Sequence, residues 1–201
     1  MTDDRCRSAH ASSSCTDGIV RRDKMTPDRS RIAIESFLLW ICLLVLLFVG
    51  SLRIGVTWDE SIYFPFSDSI GQWLSAERRF DPDTIQRHWN ENPYLNPHPP
   101  FMKILDAVTA RLFDEVFLFP LNYRLGHFVY VSACLALAYA LLRTAWPLLW
   151  ALVAIFFVVL QPRIFAELLI ATTDAPTAAA WLVLPLVAWR LDSSAPGKPL
   201  A

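Results

Sequence analysis

The sequence predicts an all-α integral membrane protein of about four transmembrane helices, with a long outer loop that carries interfacial helices. Three observations carry this. Of the 201 residues 54% are hydrophobic, and they gather in four runs with the charges lying between them. The one further apolar stretch, Phe101–Pro120, holds Lys103, Asp106, Arg111, Asp114 and Glu115. Each such charge costs about 2.5–3.5 kcal/mol near a bilayer centre, so this stretch is expected to lie in the interface plane instead of crossing. Finally, the basic residues that close the runs alternate in the way a four-span chain requires. A net charge of −1 gives no reason to expect a nucleic-acid partner.

Residues 1–30 are rich in Ser, Asp and Arg and poor in large apolar side chains, which predicts a disordered cytoplasmic tail. Arg21, Arg22, Lys24, Arg29 and Arg31 stand just before the first run. That run, Ile32 to Gly50, spans about 19 residues, enough to cross a hydrocarbon core of roughly 30 Å. It ends without a small-residue cleavage site, so an uncleaved anchor is expected. Glu35, near its start, is expected to reach the headgroups. The outer loop then runs from 51 to about 122. Asp59 to Leu74 has helical spacing, with Ile62, Phe66, Ile70, Trp73 and Leu74 near one face and Pro65 in a first turn or at a break. Asn96-Pro97-His98-Pro99-Pro100 fixes an extended backbone. From Phe101 onward, Ile104, Leu105, Val108 and Leu112 repeat at helical spacing, which leaves Lys103 on a face expected to be solvated.

The second span is Tyr123 to Leu142 and the third is Trp146 to Leu160, short unless it continues through Pro162 toward Phe165. The fourth runs from about Ala175 to Trp189, and 192–201 is a polar tail. With four spans, Arg143 and Arg190 fall on the side of the N-terminal basic cluster, so both termini are expected in the cytoplasm. Asp59, Glu60, His98, Arg163 and Asp174 then share the opposite, extracytoplasmic face. Among the four cysteines, Cys6 and Cys15 lie in the tail and Cys42 and Cys134 in apolar runs, so neither a disulfide framework nor a cysteine metal site is expected.

Trp58-Asp59-Glu60-x-x-Tyr63 after the first span, His98-Pro99-Pro100 late in the loop, and Thr173-Asp174-Ala175-Pro176 before the last span resemble, in order and placement, the GT-C superfamily of membrane glycosyltransferases. The nearest branch is similar to the protein O-mannosyltransferases and the lipid A aminoarabinose transferases. The resemblance covers about residues 32–191, the expected membrane module. Members usually have roughly twice as many spans, so the chain is expected to correspond to the N-terminal part of such an enzyme, with a missing C-terminal half or a partner subunit completing it. The resemblance implies a polyprenyl-phosphate-linked sugar as donor, an acceptor hydroxyl, inversion at the anomeric carbon, and action on the outer face of the cytoplasmic (inner) membrane.

Inverting transfer needs a base for the acceptor hydroxyl and charge stabilisation for the leaving phosphate. The resemblance implies Asp59 as base, with Glu60 orienting the acceptor or tuning Asp59. The same two acids equally suit the first turn of a helix. Asp174 is either a further acid of the site or a cap before Pro176. Arg124 and Arg163 match phosphate oxygens, or snorkel to the interface. His98 and Lys103 are further candidates for phosphate contact, His98 also for structure in a Pro-rich turn. No cofactor is required by the pattern; a divalent metal ion, if bound, would take Asp59 and Asp174, although the spacing prescribes none. The alternative function is a non-catalytic membrane protein that keeps this fold and binds lipid or a partner subunit.

Overall fold

The computed structural model describes residues 28–90 and 100–193. The N-terminal tail, His98 and the polar end 194–201 lie outside the described residues. Within them every regular element is helical: α1 (Arg29–Ser51), α2 (Trp58–Ser75), α3 (Pro82–Ile85) running into a π turn (Gln86–Asn90), α4 (Pro100–Phe113), α5 (Leu121–Arg143), α6 (Leu148–Val159), α7 (Pro162–Leu168) and α8 (Asp174–Ser193).

Helix α1 starts where the Asp28 carboxylate accepts the Ser30 N–H at 3.1 Å. Its 23 residues give about 34 Å of length. Leu39, Leu43 and Leu47, one turn apart, form the buried stripe, while Phe37, Leu38, Val45 and Val49 remain exposed. An apolar surface of that extent suits lipid and not water. Helix α5 supplies the opposing stripe with Phe128, Val131, Leu135 and Ala138, and it is the central element, packed by α1, α4 and α8.

Helices α1 and α5 run antiparallel, because polar contacts pin both pairs of ends. At one end Glu35 accepts from Arg31 at 2.9 Å, Tyr139 at 2.8 Å and Arg143 at 3.0 Å. Glu35 is therefore held by α5. Arg143 and the first turn of α1 do share one end of the bundle. At the other end Arg124 of α5 meets the residues that follow α1.

Among the described residues two helices, α1 and α5, are long and apolar enough to cross a membrane, and a third crossing arises if α6 and α7 form one broken span. Those two meet at 77°, the break falling at Gln161-Pro162 where proline removes a backbone donor. The expected fourth span does not reach the same standard. Helix α8 has 20 residues, but Asp174, Thr177, Pro185 and Arg190 dilute its apolar content. It nevertheless packs along α5 through Ala175 and Ala179.

Between α1 and α5, the loop residues that are described fold against the bundle. Pro65 lies inside α2 and does not break it. Helix α4, 14 residues and about 21 Å long, is too short to cross. Its orientation corrects the sequence reading. Lys103, expected on a solvated face, is buried at 1% exposure, Asp106 is buried at 3%, and Phe101 and Leu112 point outward. Charged groups turned toward protein while Phe101 and Leu112 face away are what a lipid surrounding favours.

Gly126 sets how closely α4 can approach α5. A Cβ there would stand 2.9 Å from both Leu105 Cγ and Thr109 Oγ1, and 3.0 Å from the Leu105 carbonyl oxygen. Since a backbone atom is among the obstacles, the helix itself must shift. Gly126→Ala is expected to lower stability by about 1–3 kcal/mol, read as a reduced thermal midpoint of the detergent-solubilised protein. An unchanged midpoint would show that the crossing is not tight.

Candidate functional site

Helix α2 opens on Thr57-Trp58-Asp59-Glu60. Glu60 occupies the third position and reaches back to the Thr57 N–H at 3.0 Å, the spacing of a capping box. Successive helical residues diverge by about 100°, so Asp59 and Glu60 cannot share a direction. Glu60 points inward and is fully buried; Asp59 points outward and is exposed.

The inward carboxylate meets Arg124 in a fork: Nε to Oε1 at 2.6 Å and Nη2 to Oε2 at 2.7 Å, both side chains fully buried. The Ala171 N–H also donates to Oε1, at 2.9 Å. Arg124 spends its remaining donors on backbone carbonyls, those of Ile54 at 2.8 Å, Gly55 at 2.7 Å and Ser51 at 3.4 Å. Burial pushes the Glu60 carboxyl up, but the bonds from Arg124, Ala171 and Thr57 outweigh it and hold the group below its ordinary 4.5. Arg124, expected at a phosphate or at the interface, is thus enclosed and fully engaged with protein.

A second set of groups lies on the outer side. The Tyr63 phenol is held above its ordinary range, first by burial and then by the negative charges of Asp59 and Asp174, and it reaches Thr173. Asp59 and Asp174, 115 positions apart, therefore act on the same side chain. The Lys103 ammonium stands 5.7 Å from the Tyr63 ring centre and 5.2 Å from that of Phe66. Burial lowers Lys103 to about 8, so its charge is weakly held near neutral pH.

Beside Asp174 opens an apolar cleft of about 470 Å³ between α5, α6–α7 and α8, with Arg163 and Glu167 also on its wall. Val131, Leu135, Ala179 and Leu182 supply much of the rest. Arg163 is exposed. Among the predicted site residues, the structure accordingly groups Asp59, Lys103 and Asp174 around Tyr63, sets Arg163 with Asp174 on one cleft, and withdraws Glu60 and Arg124 into a separate buried pair. His98 lies outside the described residues. Among the described residues, no group of three or more His, Cys, Asp or Glu side chains is close enough to hold a metal ion.

Several polar groups near the buried pair escaped the sequence reading. Asp106 is buried, and burial together with the Glu60 charge raises its carboxyl well above the ordinary range. Among the described residues its Oδ1 and the Thr172 hydroxyl find no hydrogen-bond partner, and the ring nitrogens of His127, close to the backbone at Leu168 and Thr172, lack a well-formed one. His127 lies three residues after Arg124 on the same face of α5, a spacing that marks a polar stripe inside an apolar run. Tyr63 was present in the quoted motif, and its link to Asp174 depends on folding alone.

Comparison with protein-family models, with curated proteins and with solved structures finds no match to this chain.

The division between an inward and an outward acid can be measured. Glu60→Gln is expected to cost roughly 3–5 kcal/mol, because it leaves Arg124 charged and buried without its partner. Asp59→Asn is expected to stay within about 0.5 kcal/mol. The Glu60 contribution is present above pH 4.5, where the carboxyl is ionised in both folded and unfolded chains. It is lost as pH falls through the depressed folded value, where the unfolded chain has already taken up its proton. Thermal midpoints of both variants between pH 3 and pH 7 check the ranking and the window; equal midpoints would deny the pair its structural role.

Proposed function

We propose that the chain forms a site for glycosyl transfer from a polyprenyl-phosphate-linked sugar to an acceptor hydroxyl. The observation that carries this reading is that Asp59, at the start of α2, and Asp174, at the start of α8, both act on Tyr63, with Asp174 and Arg163 on the wall of one apolar cleft. A long prenyl chain needs an apolar groove opening to lipid, and its phosphate needs a guanidinium at the groove's polar end. A transferable sugar needs a carboxylate that is exposed and not consumed by protein contacts. Asp59 meets that last requirement and Glu60 does not.

In this reading the acceptor hydroxyl gives its proton to the Asp59 carboxylate while its oxygen forms the new bond at the anomeric carbon from the face opposite the phosphate. The bond from that carbon to the phosphate oxygen breaks, and its electron pair leaves with the lipid phosphate, stabilised by Arg163. Asp174 and Tyr63 orient the acceptor. Glu60 and Arg124 act as positioning residues that fix the phase of α2. The site faces outward from the cytoplasmic membrane, the Arg31–Glu35–Arg143 end faces the cytoplasm with both termini, and α8 serves as the fourth crossing. The C-terminal half or a partner subunit would complete the vestibule.

Membranes carrying the chain, given a radiolabelled polyprenyl-phosphate sugar, test the chemistry. Asp59→Asn is expected to reduce transfer by about 10²–10⁴-fold with its thermal midpoint unchanged. Wild-type transfer in that variant would remove Asp59 as base, and no transfer by any form of the chain would favour lipid binding without catalysis. Orientation is tested separately. In a cysteine-free background, Ser61→Cys is expected to react with an impermeant maleimide in intact cells, and Ala145→Cys only after permeabilisation; the reverse pattern would invert the topology.

A further inference from the structure

A second cleft, of about 370 Å³, lies between α2, α4 and the start of α5. Asp68, Gln72, Arg111, Asp114, Phe119 and Asn122 are among the residues on its wall. It is separate from the site at Asp59. Asp68 follows Asp59 by nine residues, about 14 Å along α2, and none of Asp59, Asp174 and Arg163 lines it.

The wall is prearranged. The Tyr123 hydroxyl donates to Asp68, and the Asn122 amide donates to Asp114 at 3.3 Å. The Arg111 guanidinium is held by the Ser75 hydroxyl. Asn122 and Tyr123 are themselves buried, so these donors are fixed by packing. An ionised carboxylate accepts at about four lone-pair sites, so a single neutral donor leaves each of Asp68 and Asp114 with capacity to accept more. Gln72 and Arg111 add outward donors. Phe119, 59% exposed, gives the cleft one aromatic surface.

That combination selects among ligands. Two carboxylates against one guanidinium repel a phosphate or another anion. The polar wall is unsuited to a lipid tail, in contrast to the cleft beside Arg163. The size falls at the small-molecule end of binding cavities. Closely spaced acceptors and donors around one aromatic face match a ring bearing several hydroxyls on its edge and C–H groups on its face.

We propose that this cleft binds a saccharide unit, as a site distinct from that of Asp59. The ligand is a neutral pyranose, either free or as one ring of a longer glycan. Its hydroxyls donate to Asp68 and Asp114, and its apolar face covers Phe119. The inference stands without the transfer reading, since it concerns binding alone.

Saturation-transfer difference NMR on the full chain in detergent, with methyl glycosides of common neutral hexoses at millimolar concentration, tests it. At least one glycoside is expected to show ring-proton saturation that falls at least five-fold in Asp68→Asn and in Phe119→Ala. Gln72→Ala, at an exposed position, is expected to weaken the signal with folding intact, which covers the case in which Asp68→Asn misfolds. Asp59→Asn is expected to leave the signal unchanged, so failure of transfer and failure of this site are read apart. A short oligosaccharide binding more tightly than the monosaccharide would identify a glycan chain as the source. Saturation that is absent for every glycoside, or equal in wild type and in Gln72→Ala and Phe119→Ala, overturns the proposal. So does displacement of the signal by millimolar inorganic phosphate.

Discussion

The Glu60–Arg124 pair is the constraint on which the arrangement of one end of the bundle depends. It binds four separated segments: the residues after α1, the start of α2, the upper turns of α5, and the strand of chain before α8. Removing two charges from water costs several kcal/mol each, and a buried pair often only breaks even against apolar packing. Here the cost is offset by near-complete occupation of both partners: the fork fills two guanidinium donors, backbone carbonyls take the rest, and backbone N–H groups take the carboxylate's free positions. What the pair contributes is geometry. A fork between planar groups tolerates little rotation, so it fixes the phase of α2 relative to α5.

The lipid surroundings explain why so many ionisable groups lie inside. In water, α4 would bury Phe101 and Leu112 and expose Lys103 and Asp106; the opposite is observed. Leu105 and Thr109 of α4 lie against Gly126 of α5, and Ala107 lies against Gly71 of α2, so each neighbour approaches closely. Lys103 then finds aromatic faces and not water, and Asp106 is driven toward its neutral form by burial and by the nearby Glu60 charge.

How much of this could be read from the chain depended on whether the cause was local. The anchor α1 and the span α5 were legible, because length and apolar content decide a crossing without reference to anything else. The start of α8 was legible in Asp174 with Pro176 two positions on, whereas the third span was read as ending at Leu160 or running on through Pro162, where the helix in fact bends. The capping spacing of Thr57 and Glu60 was also visible, but whether Glu60 served the helix or the chemistry depended on Arg124, 64 residues away. Arg124 itself, at the mouth of a span, looked like an interfacial cation; its carbonyl partners beyond α1 carry no sequence signature. Lys103 was misread for a different reason. Helical periodicity identifies two faces of α4, and only the surrounding medium decides which of them turns inward.

The shared influence of Asp59 and Asp174 on Tyr63 then follows from the buried pair. Asp59 precedes Glu60 by one residue, and Asp174 follows Ala171 by three. Since Ala171 donates its N–H to the Glu60 carboxylate, both acids are tethered by a few residues to one fixed point. Helical phase turns Asp59 outward from that point, and the start of α8 does the same for Asp174, with both acting on Tyr63 from outside the core. The residues that hold the site together are thus different from those that line it. An acid freed from structural duty keeps its access to solvent, and this separation leaves Asp59 and Asp174 exposed at one end of the bundle.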